Sequence, residues 1–177
     1  DAWCDPADWA KLANLERVSG PVLSPDGRKV VFSVRQTDFE ANRGKSALWI
    51  EDLLARDAAP PVRFSPEGMN VNSPAFSPDG STVYFLSAKS GSMQLWSQPV
   101  AGGDAVQVSS YALDVGGYKI APDGKSVAVV LEVYNDCVNL DCTKQRLDAA
   151  AAKKASGQVF NKLFIRHWDT WADGRRN

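Results

Sequence analysis

Ser24-Pro25-Asp26-Gly27 decides the fold, because the same turn returns as Ser77-Pro78-Asp79-Gly80 and, with alanine first, as Ala121-Pro122-Asp123-Gly124. The copies start 53 and 44 residues apart, an interval typical of proteins that stack one small sheet per repeat. Proline presets the first corner of such a turn, aspartate can bond the backbone ahead of it, and glycine accepts a positive φ. Because a β-branched or aromatic run follows each copy, each predicts a β-hairpin. The aspartates are interpreted as turn residues, since the dense carboxylates of a calcium loop are absent.

A second repeated element follows each turn. It is a strand that begins with Leu-Trp or Leu-Phe, at Leu48-Trp49-Ile50, Leu95-Trp96-Ser97 and Leu163-Phe164-Ile165. A propeller blade of four antiparallel strands needs roughly 40 to 50 residues, and a closed ring uses about four to eight blades. The sequence therefore predicts an all-β fold, a partial β-propeller of about three to four blades of four-stranded antiparallel sheet. We expect residues 1–177 to form one incomplete N-terminal propeller domain, with blade-like units near residues 18–55, 70–101 and 112–167.

One segment departs from the β pattern. Residues 143–156 are rich in Ala, Lys, Gln and Leu, which are strong helix formers. Asp141 or Thr143 can cap the start of this helix, and Gly157 can end it. The sequence thus predicts a helical insertion within the third unit. It is a candidate for substrate contact, and a solvated spacer is the alternative.

The cysteines give a second local constraint. Cys137 and Cys142 bracket a four-residue loop and lie close enough in sequence to form a disulfide. The alternative is half of a metal site, although the chain has a single His and no second cysteine pair that could complete four ligands. A disulfide would indicate a periplasmic or secreted protein. Cys4 is left without an evident partner in the sequence. The chain begins at Asp1 with neither an initiator Met nor a leader, which leads us to expect a processed terminus.

Composition excludes several classes of partner. The net charge is -1, which gives no reason to expect nucleic acid or an anionic membrane surface. No apolar run approaches the roughly 20 residues that span a bilayer. The sequence has no phosphate-binding glycine loop, and we expect neither a cofactor nor a metal.

Catalytic motifs are also missing from the sequence. There is no Gly-x-Ser-x-Gly elbow, so the chain offers no exposed nucleophilic serine of the α/β-hydrolase type. The single imidazole, His167, has no evident Ser or Cys partner and is interpreted as structural. The sequence therefore does not predict catalysis by these residues alone.

Three stretches carry a resemblance to a known family. Residues 15–23 lead into the first turn, residues 35–42 with Gly44 and Ser46-Ala47-Leu48-Trp49 form the next strand pair, and residues 163–171 precede Asp173-Gly174. The turn and the Leu-Trp strand are shared with TolB-like propellers. The three stretches more closely resemble the N-terminal propeller of the prolyl oligopeptidase family, particularly its bacterial dipeptidyl and acylaminoacyl peptidases.

The resemblance implies a secreted two-part serine exopeptidase that cleaves short peptides. In that family a propeller caps a catalytic α/β-hydrolase domain and limits entry to small substrates. The remaining propeller blades and the hydrolase domain are expected outside this chain, in the same polypeptide or in a nicked partner fragment. Arg175-Arg176 would suit a trypsin-like nick.

Acidic residues near the insertion could hold the substrate amino group, as propeller residues do in that family. The candidates are Glu132, Asp136, Asp141 and Asp148. The alternative function is a non-catalytic TolB-like module that binds a protein or peptide and closes its open edge by self-association, for example as a homodimer.

Overall fold

The computed structural model of the chain describes residues 11–55, 59–154, 157, 159–160, 165–168 and 170–176. Two four-stranded antiparallel sheets are complete within these residues. Blade 1 consists of β1 (Arg17–Leu23), β2 (Lys29–Asp38), β3 (Arg43–Asp52) and β4 (Val62–Arg63). Blade 2 consists of β5 (Val71–Phe76), β6 (Thr82–Ser87), β7 (Gln94–Pro99) and β8 (Val106–Gln107). The predicted all-β partial propeller is confirmed.

The third unit has a different form. Its strands β9 (Val115–Ile120) and β10 (Val127–Leu131) pair as an antiparallel hairpin. The chain then forms β11 (Val133–Tyr134), the helix α1 (Leu140–Ala151), β12 (Arg166–His167), β13 (Thr170–Trp171) and β14 (Arg175–Arg176). Strand β11 pairs with β14, and β12 pairs with β13. Leu163 and Phe164 of the predicted third Leu-Phe strand lie outside the described residues, as does the side chain of His167.

The helical insertion is present, but its predicted bounds and caps were wrong. The helix begins at Leu140 and ends at Ala151, with Asn139 as its N-cap. Asn139 has an extended backbone, and its side chain accepts a hydrogen bond from the Cys142 amide at 2.9 Å. Asparagine caps helices by this bond, whereas Asp141 and Thr143 lie inside the helix. Gly157 lies beyond the helix and does not cap it.

The repeated turns have the predicted geometry. In each copy the glycine amide donates to the carbonyl of the first turn residue at 2.9 Å, and the glycine φ is between 69° and 73°. The aspartate accepts from the backbone amide two residues ahead in each copy. All three aspartates therefore act within their own turns, as predicted.

Successive turns also stack on one another. A Cβ placed on Gly80 would lie 3.3 Å from the Pro25 ring of the preceding turn, and one on Gly124 would lie 3.6 Å from the Pro78 ring. Glycine at this place thus lets each turn pack closely on the proline before it.

The core lies between sheets. Blades 1 and 2 enclose one buried apolar cluster: Val31, Leu48, Phe64, Met69, Val71, Val83, Phe85 and Trp96. A smaller cluster between blade 2 and the third unit contains Leu86, Leu95 and Val115. Burial of apolar area between stacked sheets is the main stabilising contribution in such a fold. Each sheet therefore depends on the neighbouring sheet for the burial of its apolar side chains.

Candidate functional site

A cavity lies where blade 2, the third unit and the helical insertion meet. Its volume is about 640 Å³. The N-terminal halves of β5 and β9 and the β6–β7 and β8–β9 connections form one side, and α1 forms another. We call it the insertion pocket. Its side chains include Asn72, Ser73, Asp114, Glu132, Lys144, Leu147, Asp148 and Arg175.

Two of the four predicted carboxylates lie in this pocket. Glu132, between β10 and β11, and Asp148, on α1, both line it although they are separated in sequence by the disulfide loop. Asp136 and Asp141 are not among its lining residues. The structure thus brings Glu132 and Asp148 together and leaves the other two candidates outside.

Two cations accompany these carboxylates, and sequence reasoning missed them as pocket residues. Arg175 Nη2 lies 3.2 Å from Glu132 Oε2, and Lys144 Nζ lies 2.5 Å from Asp148 Oδ1. The spacing of Lys144 and Asp148, four residues apart on a helix, is a sequence signal that could have paired them. Arg175 gave no such signal, because the pairing of β14 with β11 brings it to Glu132.

Arg175 is held in place from its own side of the pocket. Its Nε donates to Asp173 Oδ2 at 2.6 Å, and its backbone amide donates to Asp173 Oδ1 at 3.0 Å. Partial burial of Asp173 works to raise its pKa, but these two hydrogen bonds outweigh it and hold the pKa of that carboxyl below its usual value. Asp173 therefore stays ionised and orients the guanidinium that faces Glu132.

The wall formed by α1 is anchored at its N-terminal half. Thr143 is fully buried, and its Oγ1 accepts a hydrogen bond from the Tyr134 amide at 3.3 Å. The Arg146 guanidinium lies 4.2 Å from the centre of the Tyr134 ring and 2.6 Å from Asp136 Oδ1. The hydrogen bond from Arg146 holds the pKa of Asp136 below its ordinary value. Asp136 thus contributes to the anchor of the helix.

The predicted disulfide completes this anchor and is confirmed. Cys137 and Cys142 are joined with their Cα atoms 5.5 Å apart. The Cys137 amide also donates to the Tyr134 carbonyl at 3.0 Å. The disulfide therefore ties the first turn of α1 to the chain that leaves β11, which fixes where Lys144, Leu147 and Asp148 meet the pocket. Cys4 lies outside the described residues.

The pocket can interact with both charges of a small polar ligand. Asp114, Glu132 and Asp148 supply carboxylates, and Lys144 and Arg175 supply cations. The Glu132, Lys144 and Asp148 side chains are 55%, 46% and 62% exposed. Exposed ion pairs are worth little in water, so an incoming ammonium group can compete for these carboxylates.

Across the described ranges of the chain, no three His, Cys, Asp or Glu side chains are grouped so that they could hold a metal ion.

None of the helices that the structure describes has the length and apolar character needed to cross a membrane.

Comparison with known proteins shows which family the sequence of the chain matches. Residues 10–161 match the sequence model of the TolB beta propeller domain. Dipeptidyl-peptidase 5 of Porphyromonas gingivalis is 30% identical over 159 residues, and dipeptidyl-peptidase 5 of Porphyromonas endodontalis is 28% identical over 162 residues. These alignments cover 90% and 92% of this chain and 22% of each relative. The chain therefore spans about a fifth of the length of the curated relatives it matches.

A solved structure gives the same result for the fold. Acylaminoacyl peptidase from Pyrococcus horikoshii superposes with a TM-score of 0.57 at 16% identity, covering 72% of this chain and 19% of that one. At this identity the similarity shows the fold alone. The resemblance to propellers of dipeptidyl and acylaminoacyl peptidases, predicted from the turns and the Leu-Trp strands, is confirmed by these matches.

Proposed function

The chain belongs to the TolB beta propeller domain family, and we propose that it is the substrate-gating propeller part of a secreted serine exopeptidase that cleaves short peptides. The similarity to two dipeptidyl-peptidase 5 proteins over at least 90% of the chain supports this proposal. The activity expected for the whole protein is that of a dipeptidyl or acylaminoacyl peptidase. The remaining blades and an α/β-hydrolase domain with the catalytic serine would lie in the same polypeptide or in a nicked partner fragment.

The insertion pocket is the single observation that carries the role of these residues. It is open, has a volume of about 640 Å³, and is lined by both Glu132 and Asp148. The amino group of a short peptide is a cation at neutral pH, and a charge-assisted hydrogen bond to a carboxylate is stronger than a neutral one. Glu132 and Asp148 would bind this amino group.

The disulfide supports the proposed location. Disulfides persist in oxidising compartments and are rare in the cytosol. The Cys137–Cys142 bond is therefore consistent with a periplasmic or secreted protein.

Self-association into a homodimer is part of the same proposal. The last strands of the two sheets, β4 and β8, are edges available for pairing.

The test uses the full-length product of the gene. Labelling with a fluorophosphonate followed by intact-mass analysis should show one modified serine, in the polypeptide that continues this chain or in a fragment bound to it. An unlabelled protein would contradict the peptidase and favour a TolB-like binding module.

A second measurement tests whether Glu132 binds the amino group of the peptide. Cleavage is followed on a fluorogenic Ala-Ala amide with a free amino group and on its acetylated form. Glu132→Gln should raise KM for the free peptide about tenfold or more, since a hydrogen bond to a charged group is lost, and should leave kcat little changed. Asp141→Asn is the matched control, because Asp141 does not line the pocket. Equal KM values for Glu132→Gln and the unmodified enzyme would contradict the assignment, and preference for the acetylated peptide would favour an acylaminoacyl peptidase.

A further inference from the structure

The inner strand of blade 2 contains a bulge that the sequence does not explain. The pairing of β5 with β6 shifts between Asn72 and Ala75, and Ser73, within the shift, has φ +53°. Blade 1 has the same irregularity four residues before its turn, where Gly20 has φ +59°. Glycine adopts this left-handed conformation freely, whereas serine is strained in it. Blade 2 therefore needs a compensating contact that blade 1 does not.

Tyr118 of the neighbouring sheet supplies that contact. It lies three residues before the third turn, a position held by Pro21 in blade 1 and Pro74 in blade 2. Its hydroxyl lies 2.7 Å from the Ser73 carbonyl oxygen and 2.9 Å from the Tyr84 carbonyl oxygen. Pro74, next to Ser73, has no amide hydrogen to donate within the bulge. The Tyr118 hydroxyl thus serves as a donor to the backbone where the sheet lacks one.

The donor role of Tyr118 persists across the pH range in which proteins are folded. Burial of the phenol, with a smaller contribution from Tyr84, raises the pKa of Tyr118 well above its ordinary value. The hydroxyl therefore remains protonated. Its ring is packed against the smaller apolar cluster, which fixes the position of the hydroxyl oxygen.

The bulge forms part of the insertion pocket. Asn72 and Ser73 line the same cavity as Glu132 and Asp148. The Ser73 hydroxyl also donates to Asn72 Oδ1 at 3.1 Å, so the two side chains move together. We propose that Tyr118 is a positioning residue: its hydroxyl clamps the bulge and so holds Asn72 and Ser73 at the wall of the peptide-binding pocket. This inference rests on the proposed function only for the nature of the ligand.

The first test is independent of catalysis. In the full-length protein, Tyr118→Phe should accelerate amide hydrogen exchange in the segment around β5 by about fivefold, the factor that corresponds to the loss of one hydrogen bond. Tyr84→Phe is the matched control, because Tyr84 packs against the same cluster and loses a hydroxyl of the same kind. The Tyr84 hydroxyl has no hydrogen-bond partner among the described residues. Unchanged exchange in Tyr118→Phe would overturn the clamp.

The second test asks whether the clamp positions the pocket. Tyr118→Phe should raise KM for the free Ala-Ala amide about threefold to tenfold with kcat retained, whereas Tyr84→Phe should not. Adding Ser73→Gly should restore slow exchange, because glycine holds the left-handed backbone without a clamp. Faster exchange with an unchanged KM would overturn the positioning role. If the full-length protein cleaves no peptide, the proposed function fails, and the exchange measurement still decides the clamp.

Discussion

Blades 1 and 2 are built on one repeat, yet they secure the connection to the next blade by different means. In both, a serine hydroxyl accepts from the leucine amide of the third strand: Ser65 from Leu48 at 3.0 Å, and Ser109 from Leu95 at 2.8 Å. The difference lies one residue before the leucine, where blade 1 has Ala47 and blade 2 has Gln94.

Gln94 is only 1% exposed, and its amide is used at both ends. Its Nε2 donates to the Tyr111 and Leu113 carbonyls, each at 3.1 Å, and its Oε1 accepts from the Ser109 hydroxyl at 2.7 Å and from the Tyr111 amide at 3.0 Å. The Gln94 side chain thus binds three residues of the β8–β9 connection, Ser109, Tyr111 and Leu113, and this connection also lines the insertion pocket.

Blade 1 holds its β4–β5 connection with several separate side chains: Gln98 Nε2 of blade 2 donates to the Phe64 carbonyl at 3.0 Å, and Asn70 Oδ1 accepts from the Ser46 amide at 2.7 Å. The Met69 amide donates to the Pro66 carbonyl at 3.3 Å, and Gly68 has φ +72°. Ala47 is one of the residues that line a cavity of about 540 Å³ beside this connection. The comparison shows that blade 1 divides among several side chains the hydrogen bonds that blade 2 concentrates on one buried amide.

The largest expected effect tests how much of the free energy of unfolding depends on the Gln94 amide. Gln94→Ala should lower the free energy of unfolding of the propeller by about 3 kcal/mol, because several buried polar groups lose their partner and a cavity forms. Urea unfolding of the full-length protein measures it. Gln107→Ala is the control, since among the described residues the Gln107 side chain makes one hydrogen bond, from Nε2 to the Ser109 carbonyl at 2.7 Å, and its loss should cost about 1 kcal/mol. Equal losses in the two variants would contradict the role of Gln94.

A smaller effect is expected where the two blades meet at their turns. Gly80→Ala should destabilise by about 2 kcal/mol, because φ is +73° and the new Cβ would lie 3.3 Å from the Pro25 ring. Gly27→Ala has nearly the same φ, +69°, but no atom lies within 4 Å of its Cβ. It should therefore cost only about 1 kcal/mol, the conformational part alone. The difference between the two variants in thermal unfolding measures the stacking, and no difference would show that stacking contributes nothing.

The third prediction concerns the serine hydroxyl that begins the first two turns and is missing from the third, which begins with alanine. In blade 2 the Ser77 hydroxyl donates to Asp79 Oδ1 at 2.5 Å and accepts from the Thr82 amide at 3.0 Å. The third turn has Ala121 at this place and cannot make these bonds. Ser77→Ala should destabilise by about 1 kcal/mol, and Ala121→Ser should stabilise by a smaller amount.

The same turn predicts a pH dependence. The hydrogen bond from Ser77, followed by those from Ser81, lowers the pKa of Asp79 from 3.8 to about 2. Because the folded pKa lies below the unfolded value, the stabilisation is present above about pH 4 and is lost as pH falls towards 2. In Ser77→Ala the pKa of Asp79 should rise towards 3.8, which NMR titration of the carboxyl would show. A pKa of Asp79 that stays near 2 would contradict the role of Ser77.

The fold could be predicted further than the site. The repeated turns, the Leu-Trp strands and the cysteine spacing act over a few residues, and the structure confirms two blades and the disulfide. The helix was predicted but placed too late, because Asn139 rather than Asp141 or Thr143 provides the cap. Cap choice depends on the backbone conformation at each candidate, which composition does not give.

Within the candidate site, proximity to the insertion pointed to four carboxylates, and tertiary packing separated them. Asp136 faces Arg146 in the helix anchor, whereas Glu132 and Asp148 line the pocket. Arg175 joins Glu132 because β14 pairs with β11 across some forty residues of chain, roughly one repeat length. The repeats in the sequence do not predict that these two strands pair.

The sequence by itself determined what depends on local chemistry. The recurring turn residues determined the stacked antiparallel sheets, and two cysteines five positions apart determined the disulfide. Only the tertiary structure decided which polar groups meet across sheets: Gln94 with the β8–β9 connection, Tyr118 with Ser73, and Arg175 with Glu132. The physical reason is that a hydrogen bond or an ion pair requires its atoms to lie within a few ångströms of each other. Residues distant in sequence reach that separation only once the sheets have packed.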